Sequence, residues 1–184
     1  MPAAALLFID MVGDFLERWP AGERRALIAR TNALVALFRD QALPVIWVRQ
    51  EFKADLSDAF LDMRRRSIAI TIEGTRGAEI AEGLDWREAD PTLVKKRYSA
   101  FYGTELDALL AAIRPDTLVI GGINTHACIR MAAIDAYQRD YEVVIASDCV
   151  DSYDREHATI TLAYLADRIA LVRTNEQIAI RLGA

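Results

Sequence analysis

The chain has 184 residues, of which 53% are hydrophobic and 27% charged, with a formal net charge of −5. This size and composition predict a single globular domain over residues 1–184 and exclude a disordered chain. The acidic balance gives no electrostatic footprint for nucleic acid or an anionic membrane, and no apolar run is long enough to span a bilayer.

Short apolar runs alternate with helical patterns along the whole chain. Runs that are apolar throughout indicate strands buried on both faces, and their alternation with helices indicates parallel βαβ units. We therefore predict an α/β protein with three α/β/α layers and a mostly parallel, Rossmann-like sheet of six strands. The predicted strands are 4–9, 43–48, 91–95, 116–122, 141–147 and 168–172, and the predicted helices are 22–41, 104–113, 126–140 and 154–167, with Thr104 and Thr174 as caps and a last short helix after Thr174.

A basic run and the N-terminal residues bear on what the protein binds and on its expected cellular location. The basic run Arg64–Arg66 predicts a solvated helix face or loop, and the alternative is a docking site for an anionic substrate or a partner subunit. The N-terminus lacks the basic region of a signal peptide, so we expect a cytoplasmic protein with reduced thiols.

Ligands of parallel α/β sheets bind beyond the carboxyl ends of the strands, so the residues after each strand are the candidates for function. The first strand ends in Asp10, the third runs into Lys95, and the fourth leads into a turn that contains Cys128. An acid, an amine and a thiol from three different strands are thus predicted to converge on one edge of the sheet.

The stretch GGINTHAC, residues 121–128, connects the fourth strand to a helix. Its glycines permit a sharp turn and close approach to a ligand, and Thr125 can cap the helix. In the first helical turn, free amides and the helix dipole lower a thiol's pKa, which favours Cys128 as a nucleophile. The alternative is that Cys128 is a small buried hydrophobe.

The other cysteine and the two histidines indicate neither a metal site nor a cofactor site. Cys149 is expected in the core or the pocket wall, and a disulfide to Cys128 requires adjacent strand ends. His126 and His157 form no metal-binding motif, so His126 is expected as a first-turn polar residue or part of the pocket. The sequence GGIN matches neither a dinucleotide fingerprint nor a phosphate loop. We expect no metal and no cofactor.

Four blocks resemble a known family in the right order along the chain: LLFIDMVGDFL, EGTRGAEI, VKKRYSAFYGTELDALL and LVIGGINTHACIRMAAIDAYQRDYEVVIASDCVDSYD. They are similar to the isochorismatase-like cysteine hydrolases, which include nicotinamidases and N-carbamoylsarcosine amidohydrolases. The resemblance implies a catalytic triad of Asp10, Lys95 and Cys128. It also implies a cis peptide at Ile123–Asn124, with the backbone amides of Asn124 and Cys128 as the oxyanion hole, and a homodimer or homotetramer.

Three departures from the family pattern bear on the activity. Val12 replaces a frequent glutamine, Met131 replaces a frequent threonine, and the segment RQEFKADLSDAF lacks the histidine of the metal-binding nicotinamidases. True isochorismatases of the family often lack the cysteine, so the resemblance implies that Cys128 favours amide cleavage over vinyl-ether hydrolysis. The alternatives are an isochorismatase-type enzyme, a thiol redox enzyme and a non-catalytic binding protein of the same fold.

The resemblance therefore implies a cysteine-dependent hydrolase that cleaves a small amide, ureido or carbamoyl C–N bond through a thioester and releases ammonia. Aromatic residues near the predicted strand ends are candidates for the substrate pocket, together with an arginine that can pair with a substrate carboxylate. The predicted pocket residues are Phe15, Trp47, Arg49, Tyr98, Phe101 and His126.

Overall fold

The computed structural model describes residues 3–183, and its centre is a six-stranded sheet in which every neighbouring pair of strands is parallel. The strand order is β3-β2-β1-β4-β5-β6. The prediction of a six-stranded parallel α/β fold is confirmed. The strands are Ala4–Ile9 (β1), Val45–Gln50 (β2), Thr92–Lys95 (β3), Thr117–Ile123 (β4), Glu142–Asp151 (β5) and Leu171–Arg173 (β6).

Helices connect the strands and cover both faces of the sheet. They are Gly13–Leu16 (α1), Ala21–Asp40 (α2), Leu61–Arg66 (α3), Leu106–Ile113 (α4), Arg130–Tyr137 (α5), Arg155–Arg168 (α6) and Asn175–Leu182 (α7), with a 3-10 turn at Arg76–Ala78 and a π-helical turn at Thr125–Ile129. Two of them, α1 and α3, were not predicted, because four and six residues are too few to show a helical period. The basic run Arg64–Arg66 is exposed in the last turn of α3, as predicted. Within residues 3–183, no helix combines the length and the hydropathy that crossing a membrane requires.

The two predicted caps differ in outcome. Thr174 caps α7 with a complete capping box, because its side chain accepts from Gln177 N–H while the Gln177 side chain accepts from Thr174 N–H. The cap position of α4 is Glu105 rather than Thr104. Thr104 Oγ1 still accepts a hydrogen bond from Leu106 N–H, at 3.3 Å, so it supports the same helix end from one residue further out.

The core lies in two layers, one on each face of the sheet. Every residue of β1 is buried, and its side chains alternate between the layers. Leu7 and Ile9 pack toward α4, α5 and α6, while Leu6 and Phe8 pack toward α2 and α7. Burial of β1 on both faces is what its continuous apolar sequence predicted. It fixes the carboxyl end of β1, where the polar residues begin.

Candidate active site

Asp10, Lys95 and Cys128 meet at the carboxyl edge of the sheet. Asp10 directly follows β1, Lys95 is the last residue of β3, and Cys128 lies in the π-helical turn after β4. Lys95 Nζ lies 2.7 Å from Asp10 Oδ2 and donates hydrogen bonds to Cys128 Sγ at 3.5 Å and Arg97 O at 2.9 Å. The Asp10 and Lys95 side chains are fully buried, and Cys128 is 5% exposed. The predicted convergence of acid, amine and thiol is therefore present.

The backbone around Asp10 holds its carboxylate in place. Asp10 has a φ of +59°, a left-handed conformation that aspartate adopts more readily than most residues. Its N–H donates to Val48 O at 2.8 Å, and its Oδ1 accepts from Gln50 N–H at 2.8 Å. One carboxylate oxygen is thereby anchored to β2, and the other is left to pair with Lys95.

The charges of the triad determine which protons the resting site holds. Burial alone would lower the pKa of Lys95, but the neighbouring Asp10 and Cys128 raise it, so Lys95 is an ammonium at neutral pH. Burial, and after it the Asp10 charge, raise the pKa of Cys128 above its ordinary range, although Lys95 opposes them. The prediction of a lowered thiol pKa is therefore wrong for the resting site, where Cys128 is a neutral thiol beside an ion pair.

The end of β4, which leads into the turn that carries Cys128, contains two glycines that its packing requires. A Cβ on Gly121 would lie 2.4 Å from Phe8 Cε1, and one on Gly122 would lie 2.0 Å from Ile9 O. Gly122 also has a φ of +116°, which side chains rarely allow. Close approach of β4 to β1 thus explains both glycines of the GGINTHAC stretch.

The peptide bond Ile123–Asn124 is cis, as the resemblance implied. The cap position of the helical turn is Asn124, whose carbonyl accepts hydrogen bonds from Ala127 N–H and Ile129 N–H. Thr125 does not cap the helix as predicted. Its hydroxyl donates instead to Asp151 O at 3.0 Å, because the turn presents that side chain to the end of β5.

A cleft of about 1520 Å³ opens at this edge, and Cys128 is part of its lining. Of the predicted pocket residues, Phe15, Tyr98 and His126 line it. The rest of the wall is largely apolar and comes from α1, α3, α5 and the loops beside them. The charged lining residues, together with two polar ones, are Arg18, Glu23, Asp62, Arg66, Arg130 and Arg155, and Gln50 and Ser152.

Trp47, Arg49 and Phe101 do not line the cleft, which corrects the pocket prediction. Trp47 is fully buried and stacks on Phe8 at 5.2 Å in the α2 layer of the core. Phe101 is buried in the opposite layer under the guanidinium of Arg139. The Arg49 guanidinium pairs with Glu51 at 2.6 Å and donates to Ala78 O, so its charge is already engaged.

Most of the lining was not predicted from the sequence, and Gln50 is the missed residue that lies nearest to Asp10 in the fold. It ends β2, the strand between β1 and β3, and is only 4% exposed. Its backbone N–H anchors Asp10, while its side-chain amide has no hydrogen-bond partner among residues 3–183. The same strand-end rule that identified Asp10 and Lys95 applies to Gln50, so a signal for it was present in the sequence.

The remaining predicted residues lie outside the triad. Cys149 is fully buried in the α2 layer, where its thiol donates to Asn175 Oδ1 at 3.2 Å, and both cysteines are free thiols. Across residues 3–183, no three His, Cys, Asp or Glu side chains come together in a way that could hold a metal ion. Two of the acids after β2 are engaged by cations, Glu51 by Arg49 and Asp58 by Lys96, and the segment has no histidine, so it does not fit the family's metal site.

Comparison with known proteins agrees with this architecture. The family model for the isochorismatase domain matches residues 4–177. An isochorismatase family protein from Desulfovibrio vulgaris superposes over 100% of both chains, with a TM-score of 0.88 and 30% identity. N-carbamoylsarcosine amidase from Thermoplasma acidophilum superposes over 94% of this chain and 96% of its own, with a TM-score of 0.80 and 28% identity. A probable inactive nicotinamidase of Arabidopsis thaliana is 35% identical over 153 residues, 78% of each chain.

These matches place the chain among hydrolytic proteins built on a parallel α/β sheet. The chain belongs to the isochorismatase family.

Proposed function

We propose that this protein is a cysteine-dependent amidase that cleaves the C–N bond of a small amide, ureido or carbamoyl compound. The observation that carries the proposal is the buried contact of Lys95 Nζ with both Asp10 and Cys128, at 2.7 and 3.5 Å. A lysine and an aspartate without solvent access are costly to keep in a core unless they are paired. Their position beside the one thiol that lines the cleft supports a chemical role.

In the proposed first step, Asp10 takes the thiol proton of Cys128 as the sulfur attacks the substrate carbonyl carbon. The triad has no net charge before or after this transfer, because the ammonium of Lys95 balances first the carboxylate and then the thiolate. Proton transfer within the triad thus avoids placing an uncompensated charge in a buried site. It also explains how a thiol with a raised pKa serves as a nucleophile.

The backbone amides of Asn124 and Cys128 are the proposed donors to the tetrahedral oxyanion. Such donors contribute about 2.7–4 kcal/mol each to transition-state stabilisation in comparable sites. Asp10 then gives its proton to the departing nitrogen, and ammonia is released. The intermediate that remains on Cys128 is a thioester when the substrate is an amide and a thiocarbamate when it is a ureido or carbamoyl compound. Asp10 takes a proton from a water molecule that attacks this intermediate and passes it to the departing sulfur, which restores the thiol. No cofactor takes part in any of these steps.

The cleft lining favours substrates that carry a negative charge. It contains four arginines and two acids, although the whole chain has a net charge of −5. Two of the arginines, on α3 and α6, pair with the two acids. Arg18 and Arg130 have no carboxylate within ion-pair distance among residues 3–183, and Arg130 lies over the Tyr164 ring. We therefore include ureido and carbamoyl acids among the substrate candidates.

The experiment that tests the proposal is ammonia release from a panel of small amides, ureido acids and nicotinamide. Cys128→Ala and Cys128→Ser should abolish release, while Cys149→Ala, the same change at the other buried thiol, should retain it. Turnover near the wild-type rate in Cys128→Ser would rule out covalent catalysis.

The alternatives give different results in the same assays. An isochorismatase-type enzyme would hydrolyse a vinyl ether and release no ammonia. A thiol redox enzyme would keep its activity in Lys95→Ala. A binding protein would bind an amide without turnover, and the name of the Arabidopsis relative, a probable inactive nicotinamidase, makes this the second candidate.

A further inference from the structure

A second polar pair lies on the cleft wall, separate from the triad. His126 belongs to the π-helical turn, and Ser152 directly follows β5. His126 Nδ1 lies 2.5 Å from Ser152 Oγ, and both residues line the cleft. Ser152 is 1% exposed, and its N–H donates to Asp151 Oδ1 at 2.7 Å. Ser152 is therefore held in place and shielded from solvent, whereas His126 is only half buried.

The hydrogen-bonding needs of the two side chains determine the tautomer of the ring. Among residues 3–183, His126 Nδ1 is the only hydrogen-bond partner of the Ser152 hydroxyl. If Nδ1–H donated to the serine, the buried hydroxyl hydrogen would have no protein acceptor. If the hydroxyl donates to Nδ1, both groups are satisfied, and the proton of the neutral ring resides on Nε2.

We propose that Ser152 holds His126 as the neutral Nε2–H tautomer, so that His126 offers one uncharged donor to an acceptor oxygen of the substrate. Nε2 is the ring nitrogen that does not contact Ser152, and it has no hydrogen-bond partner among residues 3–183, on a residue that is half buried and lines the cleft. His126 is then a specificity residue and Ser152 its positioning residue. The substrate part of this proposal rests on the proposed function, whereas the tautomer part does not.

The groups around His126 keep the ring uncharged at neutral pH. Burial lowers the pKa of His126, Asp154 at the start of α6 opposes this, and His157 adds to it. The ring of His157 lies 6.2 Å away, and that of Tyr153 stands edge-on at 5.1 Å. Because the pKa of His126 lies below its ordinary value, the imidazole is uncharged at neutral pH. The donor that it offers is therefore a neutral N–H.

The tautomer is measured by 15N NMR of the imidazole nitrogens at neutral pH. The chain contains only two histidines, so His157→Gln assigns the His126 signals. In the otherwise unchanged protein, we expect Nδ1 without a proton and Nε2 with one. Ser152→Ala should mix the tautomers, and Ser152→Thr, which keeps the hydroxyl, should restore the Nε2–H form. A proton on Nδ1, or the same spectrum in Ser152→Ala, would overturn the proposal.

The substrate contact is measured on the amide of the panel that the wild type hydrolyses fastest. We expect Ser152→Ala and His126→Ala to raise KM by up to about tenfold and to leave kcat nearly unchanged, since a neutral hydrogen bond common to ground and transition states is lost. Thr117→Val is the matched control, because it removes a buried hydroxyl that donates to Glu142 at the far end of β4. A fall in kcat at constant KM, or an equal effect in the control, would contradict the role.

The two proposals fail in different ways. If the wild type releases ammonia from no member of the panel, the proposed amidase function is refuted. N-carbamoylglycine is then titrated into the Cys128→Ala protein while the His126 Nε2 signal is followed. A shift that Ser152→Ala abolishes supports the donor role, and binding without a shift, or no binding, overturns it.

Discussion

Replacing Asp10 by asparagine should move turnover and thiol reactivity in opposite directions. Asparagine has nearly the same size and retains an oxygen that can accept from Gln50 N–H, but it carries no charge. It therefore cannot serve as the base, and it no longer opposes ionisation of the sulfur. Burial and then the Asp10 charge raise the pKa of Cys128, so the variant loses the second of these causes.

The geometry sets the size of this effect. Lys95 Nζ lies 2.7 Å from Asp10 Oδ2 and 3.5 Å from Cys128 Sγ, so carboxylate and sulfur are at most about 6 Å apart. With an effective dielectric constant of about 20, two negative charges at that distance repel by about 3 kcal/mol. This corresponds to about a 100-fold larger thiolate fraction of Cys128 in the variant.

Alkylation by iodoacetamide at neutral pH, followed by mass spectrometry of the Cys128 peptide, measures that fraction. We expect the rate to rise by about 100-fold in Asp10→Asn, while ammonia release falls by about 10²–10⁴-fold. Asp58→Asn is the control, because Asp58 pairs with Lys96 at 3.0 Å and should alter neither rate. Unchanged or slower alkylation in Asp10→Asn would refute the electrostatic reasoning, and retained turnover would refute the role of Asp10 as base.

Three further predictions concern stability, measured by urea unfolding. Lys95→Met leaves a buried carboxylate unpaired and should cost about 3–5 kcal/mol, whereas Lys96→Met at a partly exposed pair should cost at most about 1 kcal/mol; equal costs would contradict this. Gly122→Ala should cost more than about 1 kcal/mol and reduce activity, because its Cβ meets Ile9 O; a stable, active variant would disprove the close approach. Thr174→Ala should cost about 1 kcal/mol by removing the cap of α7, with activity kept; an unchanged midpoint would show that the cap contributes nothing.

The fold and the positions of the triad were predictable because both follow from local patterns. Continuous apolar runs identified the strands, and the rule that parallel sheets bind ligands at their carboxyl ends pointed to the residues after them. The pairing of Arg49 with Glu51 was also predictable, since Glu51 directly follows β2 and residues two apart in extended backbone point to the same side. What was predictable therefore depended on period and order along the chain.

The errors arose where contacts between distant segments decide the outcome. Trp47 and Phe101 are aromatic and near strand ends, yet α2 and Arg139 cover them, and nothing local distinguishes a covered ring from a pocket wall. The same applies to the thiol of Cys128, since its helical turn favours ionisation while burial and a carboxylate from β1 oppose it. Which of these effects on the thiol pKa prevails depends on distances in three dimensions, and the sequence does not contain them.

The position of Lys95 in the sheet makes the proposed activity more fragile than the fold. Lys95 ends β3, an edge strand of four residues whose other three residues are half buried. Among residues 3–183, β2 is the one strand that pairs with it. Local unfolding of β3 would break the contact between the Lys95 ammonium and Asp10, while the central strands stay paired. Mildly denaturing conditions should therefore abolish the proposed activity before the protein unfolds, and that activity would then report on the integrity of a single peripheral strand.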